Sequence, residues 1–301
     1  MPAEAKPAKS QPLFVPLPPV EATPSASPPP PATWWHSVEE SVLLLTAPPV
    51  QRALAEAGLP STDRLSRCPR CGCLLTDQEL EPVCEACRTN PPTWAALVTL
   101  GSYADPLSGI VRQTKERPWP ELGIAAGKIL GEQVRIKLGT AGLKDALVIV
   151  IPVPTSPIRI LMRGIDHPVT IAKGVIRGLR AQSQSQDEFA TIFCPILARR
   201  WRWKQAALSA WRRKENVLGS MTTSRKAKIP FLGRLSCLSR RIEAARKAGR
   251  PIVALVVDDV VTTGATAREA IRAARSALAQ NKLGVRMWWV ASVSRVEKPS
   301  E

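Results

Sequence analysis

The stretch Ile252-Val-Ala-Leu-Val-Val-Asp258-Asp259-Val-Val-Thr262-Thr263-Gly264-Ala265-Thr266-Ala-Arg-Glu-Ala270 decides the fold. Ile252 to Val257 is short, β-branched and nearly all apolar, the pattern of a strand covered on both faces in a parallel sheet. Asp258 and Asp259 then stand at its carboxyl end, the edge where open α/β sheets bind ligands. The small residues that follow can turn backbone N–H groups, and the next helix's N-terminus, onto a phosphate. Thr262, Thr263 and Thr266 add hydroxyl donors. Two carboxylates beside an anion site suit a ligand that carries hydroxyls as well as a phosphate, as ribose 5-phosphate does. The acids would accept from the 2′- and 3′-hydroxyls. A buried strand, an acidic turn and a Thr-capped helix with no ligand is the alternative.

Outward from this motif, the 301 residues include 45% hydrophobic ones, enough for one large domain or two smaller ones. No apolar run approaches the length that spans a bilayer, and prolines interrupt the first twenty residues where a secretory signal needs a continuous apolar stretch. We expect no membrane insertion and a cytoplasmic location. The formal charge of +17 favours polyanionic partners: phosphorylated substrates, diphosphate or nucleic acid. A general arginine bias would give the same charge.

Residues 1–32 hold eleven prolines among Ala, Ser and Thr and read as a disordered tail. Ser37-Val-Glu-Glu40 has capping-box spacing and predicts a short helix ending before Pro48-Pro49, packed by Trp34 and Trp35. Residues 33–92 form an N-terminal helix and cysteine module, and 93–295 the main domain. There the pattern predicts strands over 95–103, 146–153, 252–257 and 285–293, and helices near 105–115, 121–138, 168–181 and 266–280. Strands alternating with helices argue for an α/β fold with a parallel sheet. Residues 197–249 read as a basic, partly mobile segment.

Cys68-Pro-Arg-Cys71 and Cys84-Glu-Ala-Cys87 are two CxxC pairs twelve residues apart. Each bends into a knuckle that aims both sulfurs at one point, so the four can surround a tetrahedral Zn2+. Disulfides are the alternative, disfavoured by the expected compartment. Four protein ligands leave no open position, which makes the metal structural. Cys73 is a spare that could compete as a ligand, and Cys194 and Cys237 read as small core residues.

Two further segments carry charge. Ile151-Pro-Val-Pro-Thr-Ser-Pro157 leads through Arg159 to Arg163-Gly-Ile-Asp166-His167; the prolines stiffen a turn, and the arginines could face a diphosphate or be solvated. His167 could bind or cap the following helix. Residues 197–228 hold ten Lys or Arg and one acid, interleaved with Trp201, Trp203 and Trp211. The first reading is a lid that closes over a polyanionic substrate. A single-stranded nucleic-acid groove and a solvated helix with core-facing tryptophans are the others.

In order along the chain, CPRCGC with CEAC, Tyr103, Lys115, PVP with Arg163-Gly164, Gln205…Leu208…Arg213…Asn216…Gly219 and VVDDVVTTGAT resemble the ComF family, competence-associated proteins in which a zinc ribbon precedes a type I phosphoribosyltransferase domain. The resemblance covers about 37–293. It implies a type I phosphoribosyltransferase-like parallel sheet flanked by helices, binding 5-phosphoribosyl 1-diphosphate (PRPP) or a related phosphosugar or nucleotide with Mg2+. It further implies Asp258, Asp259, Arg213 and Gln205 as catalytic residues and Thr262, Thr263, Gly264, Ala265 and Thr266 as the 5-phosphate cradle. Arg159, Arg163 and Lys115 would approach the diphosphate. Transfer to an acceptor is one implied activity. A non-enzymatic adaptor in DNA uptake, contacting single-stranded DNA or a competence helicase, is the other, and a homo-oligomer remains open. Departures exist: Pro48 to Arg67 lacks the second cysteine cluster of many relatives, Asp166-His167 replaces a frequent Asn-Gln, and 222–250 is long.

Overall fold

The structure, a computed structural model, describes residues 67–75, 82–104, 107–116, 119–181, 189–199, 219–224 and 234–297, with Val50 and Leu54. The expected proline-rich tail, the helix after Ser37, Gln205, Arg213 and the Trp201 to Trp211 segment lie outside the described residues. In chain order the elements are α1 (Glu85–Thr89), β1 (Ala96–Ser102), α2 (Leu107–Glu116), α3 (Pro120–Thr140), β2 (Leu147–Pro152), α4 (Pro157–Arg163), α5 (His167–Arg180), β3 (Ala190–Phe193), β4 (Leu197–Arg199), β5 (Met221–Thr223), α6 (Arg234–Lys247), β6 (Ile252–Val261), α7 (Ala265–Gln280) and β7 (Met287–Arg295).

Five strands form one sheet in the order β1-β7-β6-β2-β3, and every neighbouring pair is parallel. The α/β class expected from the sequence is therefore observed. Alternation along the strands feeds two cores. Leu147, Ile149, Ile151, Ala254, Val256 and Trp288 face a layer containing α6 and α7. Val148, Val150, Val253, Leu255, Val257 and Trp289 face α2, α3 and α5. Among the described residues no helix is long and apolar enough to cross a membrane.

The second layer rests on an unusually close helix pair. A β-carbon at Gly127 or Gly131 of α3 would stand 2.2 Å from the carbonyl oxygen of Ile171 or Val175, respectively, in α5. In return, one at Gly174 or Gly178 would stand 2.2 Å or 2.0 Å from the Ile124 or Lys128 carbonyl oxygen. Only glycine allows these two backbones to touch.

Chain direction fixes where a crevice opens. The chain leaving β2 passes through α4 into α5 on one face, whereas β6 leads into α7 on the other. Their adjacent carboxyl ends thus form the topological switch point of the sheet.

Several sequence expectations are corrected. The Pro-rich turn after β2 contains a helix, α4, which Pro157 starts at a position where its missing N–H costs nothing. The basic 197–249 segment includes the β4–β5 antiparallel pair and α6, whose buried stripe Leu238, Ile242 and Ala245 has helical spacing. β3 was not foreseen, and β6 runs four residues beyond Val257 because β7 keeps pairing with it up to Val261. Cys194 is buried, as expected, but Cys237 is exposed on α6.

Candidate functional site

Asp258 and Asp259 are strand residues, held by the β7 ladder after β2 has ended at Pro152 opposite Val257. Strand alternation sends the two side chains to opposite walls of the crevice. Asp258 faces the α6–α7 layer and is 6% exposed; its Oδ1 accepts the Asp259 amide at 2.9 Å. Burial first, and the adjacent Asp259 charge second, push its carboxyl well above the ordinary range. Asp259 faces the α2–α5 layer. Its Oδ1 accepts the Val260 amide at 2.7 Å, and its Oδ2 takes the Lys115 ammonium of α2 at 2.8 Å.

Cations line both walls. Arg199, at the end of β4, feels the charges of Arg159 and of Asp258; burial, then Arg159, lower its pKa. On the other wall His167, the first residue of α5, feels Asp259, Arg163 and Lys115. It does not cap its helix: Asp166 occupies the N-cap position, and Thr155 donates to the Asp166 carboxylate at 2.9 Å. The imidazole is 2% exposed, has no hydrogen-bond partner at either nitrogen, and is held neutral, mainly by burial, with its pKa lowered to about 4. Arg159 is exposed and Arg163 half-buried on α4, beside the exposed Ile158, Leu161 and Met162.

The loop from Thr262 to Gly264 joins β6 to α7. Gly264 takes the left-handed conformation (φ 73°) at the N-cap of α7, a position that glycine favours. Thr262 and Thr263 are exposed, Ala265 and Thr266 half-buried, and Gly264 buried. The Thr263 hydroxyl accepts the Ala265 amide at 3.4 Å, while Arg268 donates to the Thr263 carbonyl at 3.0 Å. Helix geometry leaves the first N–H groups of α7 without intrahelical partners at this end.

The cysteines form a second centre. The Sγ atoms of Cys68, Cys71, Cys84 and Cys87 lie within 4.8 Å of one another. Sulfurs tetrahedrally placed about 2.3 Å from a Zn2+ are about 3.8 Å apart, and Cys71 and Cys84 are separated by 3.6 Å. The donor set fits a structural Zn2+. Cys73 stands 3.2 Å from Cys71. Hydrogen bonds from Cys71 and Cys73 hold the Cys68 thiol far below its usual range, and the Cys68 contact pushes Cys73 up. Backbone hydrogen bonds from Gly72 to Cys68 (2.8 Å) and from Cys68 to Cys73 (2.9 Å) close the first knuckle.

This knuckle is docked on the sheet. Leu97 of β1 donates to the Pro69 carbonyl at 2.9 Å, and the Trp94 indole to the Arg70 carbonyl at 2.7 Å. Arg67 binds Glu297 (2.7 Å), Ser102 (2.7 Å) and the Gly72 carbonyl (2.8 Å). Sequence reasoning missed Trp94, Arg295 and the individual role of Arg199, because each meets its partner across the fold. For Arg199 the basic run was a signal; for the other two there was none.

No protein-family model matches the chain. It is 30% identical over 204 residues to the DNA utilization protein YhgH of Escherichia coli K12, covering 67% of this chain and 74% of that protein. The YhgH proteins of Shigella flexneri (29% over 204 residues; 67% and 74%) and Salmonella typhimurium (28% over 208 residues; 68% and 76%) are similar to it. With its cysteine knuckles, parallel sheet and this shared length, the chain belongs to the family of the DNA utilization protein YhgH.

Proposed function

We propose that this chain is a ComF-type phosphoribosyltransferase-domain protein that binds PRPP with Mg2+ in the service of DNA utilization. One observation carries the reading: two adjacent acids on a rigid strand face opposite, cation-lined walls at the sheet's switch point, immediately before a glycine-turned loop and a helix N-terminus. Asp258 and Asp259 accept from the ribose hydroxyls. Thr262, Thr263 and Thr266, with the α7 amides, hold the 5-phosphate. Lys115, Arg159 and Arg163 meet the diphosphate, joined by Gln205 and Arg213 from the basic segment.

The same carboxylates are the hard oxygen donors that suit Mg2+. Asp258 and Asp259 would hold the metal, which when bound would supply positive charge to the diphosphate. In transfer, the bond from C1 to the diphosphate breaks, positive charge develops on the ring, and an acceptor nucleophile forms the new bond at C1. The chain's part is positioning and electrostatic stabilisation. Binding only to the folded state raises the melting temperature by mass action. PRPP with Mg2+ is expected to raise it, and ribose 5-phosphate to do so less; no shift with PRPP at millimolar concentration contradicts the reading.

The name of the relatives favours a second, compatible reading, in which the basic Trp201 to Arg213 stretch contacts single-stranded DNA or a helicase partner. Oligonucleotide affinity should then fall steeply with salt and with Trp201→Ala/Trp203→Ala. Binding that ignores salt contradicts it.

A further inference from the structure

The cysteine knuckle and the phosphate loop touch through two side chains, and they do so at both ends of the loop. Trp94 is 5% exposed. One edge of its indole donates to the carbonyl of Arg70, the residue between Pro69 and Cys71 inside the first CxxC. The other edge lies on Gly264: a β-carbon there would stand 2.7 Å from Trp94 Cη2 and 3.4 Å from Cζ2. Arg295, also 5% exposed, makes the second link. Its Cδ would stand 3.4 Å from a β-carbon at Gly72, the residue after Cys71, and its guanidinium Nη1 donates to the Thr262 carbonyl.

Apart from these, the loop is held by Arg268 of α7, whose side chain donates to the Thr263 carbonyl at 3.0 Å and whose amide donates to the Gly264 carbonyl at 2.9 Å. Its internal hydrogen bond, from the Ala265 amide to the Thr263 hydroxyl, is long at 3.4 Å. Gly264 packs in its left-handed turn against an indole that is tied to the Arg70 carbonyl, and Arg70 lies between Cys68 and Cys71. A cation shared by Cys68, Cys71, Cys84 and Cys87 would add its four bonds to the backbone hydrogen bonds that close this knuckle.

We propose that Trp94 and Arg295 are positioning residues that transmit the metallation state of the four-cysteine cluster to the Thr262–Thr266 loop, so that the loop is pre-organised for phosphate only while the metal is bound. The statement about phosphate rests on the function proposed above, whereas the mechanical coupling does not. A structural metal elsewhere on the surface would leave the loop unchanged on removal. Here its loss is felt in the ligand site.

Hydrogen–deuterium exchange on the full chain separates the two. Extracting the metal with a chelator should speed exchange about tenfold in the segment 262–269, which contains the Arg268 amide bonded to the Gly264 carbonyl at 2.9 Å, while the β2 segment 147–152 is unaffected. Trp94→Phe with its metal retained should give the fast loop already, and metal extraction should then add little; Arg295→Lys should behave the same way. Unchanged loop exchange on metal removal, an equal rise in 147–152, or full additivity of Trp94→Phe with metal removal would each overturn the coupling. In parallel, PRPP affinity of the unmodified chain should fall about tenfold on extraction. Absence of PRPP binding to the metal-loaded chain would overturn the functional reading and leave the exchange result to judge the coupling.

Discussion

Lys115 holds Asp259 at 2.8 Å, from the end of α2 on the wall that Asp259 faces to the carboxyl end of β6. The pair neutralises one of two adjacent carboxylates, and the other, Asp258, is held on the opposite wall. Removing the cation leaves Asp259 beside Asp258 with the Val260 amide but without its ion-pair partner. Lys115→Met is expected to cost about 1 kcal/mol of stability, discounted for the partial exposure of both side chains. In a double-mutant cycle with Asp259→Asn, most of that loss should vanish, because the two share one interaction.

Asp258 is a site of stored cost. Burial and the Asp259 charge raise its carboxyl above the usual pKa of 3.8, so between that value and the raised one the folded state binds more protons than the unfolded. Stability therefore falls as pH rises through that window and stays reduced at neutral pH. Asp258→Asn keeps an oxygen for the Asp259 amide and removes the charge. Thermal unfolding at pH 7 should show a gain of about 1 kcal/mol, a size common for a single stabilising substitution, with the advantage shrinking in acid.

His167 acts in the opposite sense. Burial lowers its pKa from 6.5 to about 4, so below pH 6.5 the unfolded state takes up protons that the folded state refuses. Stability should fall as pH drops from 6.5 toward 4, by up to about 3 kcal/mol. Asp259, Arg163 and Lys115 act on the ring, the first favouring its charge and the others opposing it. His167→Leu should flatten this part of the pH profile measured by denaturant unfolding; an unchanged slope would place the acid sensitivity elsewhere.

At Gly127, Gly131, Gly174 and Gly178 the α3–α5 contact admits no side chain. Gly174→Ala would set a methyl group 2.2 Å from the Ile124 carbonyl oxygen, so the helices must separate. A loss of at least about 2 kcal/mol is expected, the scale of overpacking where backbone must move. Gly139→Ala in the same α3 meets nothing within 4 Å and serves as the control, with little loss expected.

What could be read from sequence followed from local chemistry. The apolar run of β6, the alternation of strands and helices, and the paired CxxC spacing each announce themselves within a few residues, and the fold bears out the sheet and the gathered sulfurs. Boundaries failed where tertiary contact overrides local signal. β6 continues past two aspartates because β7 pairs with Val260 and Val261, and α6 hides a three-residue apolar stripe among arginines. The opposite orientation of Asp258 and Asp259 follows from strand geometry only once the strand is known to extend through them. Trp94 and Gly264 lie 170 positions apart, and no local pattern joins them.

Under the proposed function, the crevice holds a phosphoribosyl diphosphate. Calorimetric titration of the full chain with PRPP and Mg2+, alongside Asp258→Asn/Asp259→Asn, tests it most directly. We expect one site of micromolar affinity that weakens at least about tenfold in the double variant, a loss of about 1.4 kcal/mol. Equal binding by both proteins, or none by the unmodified chain, would contradict the account.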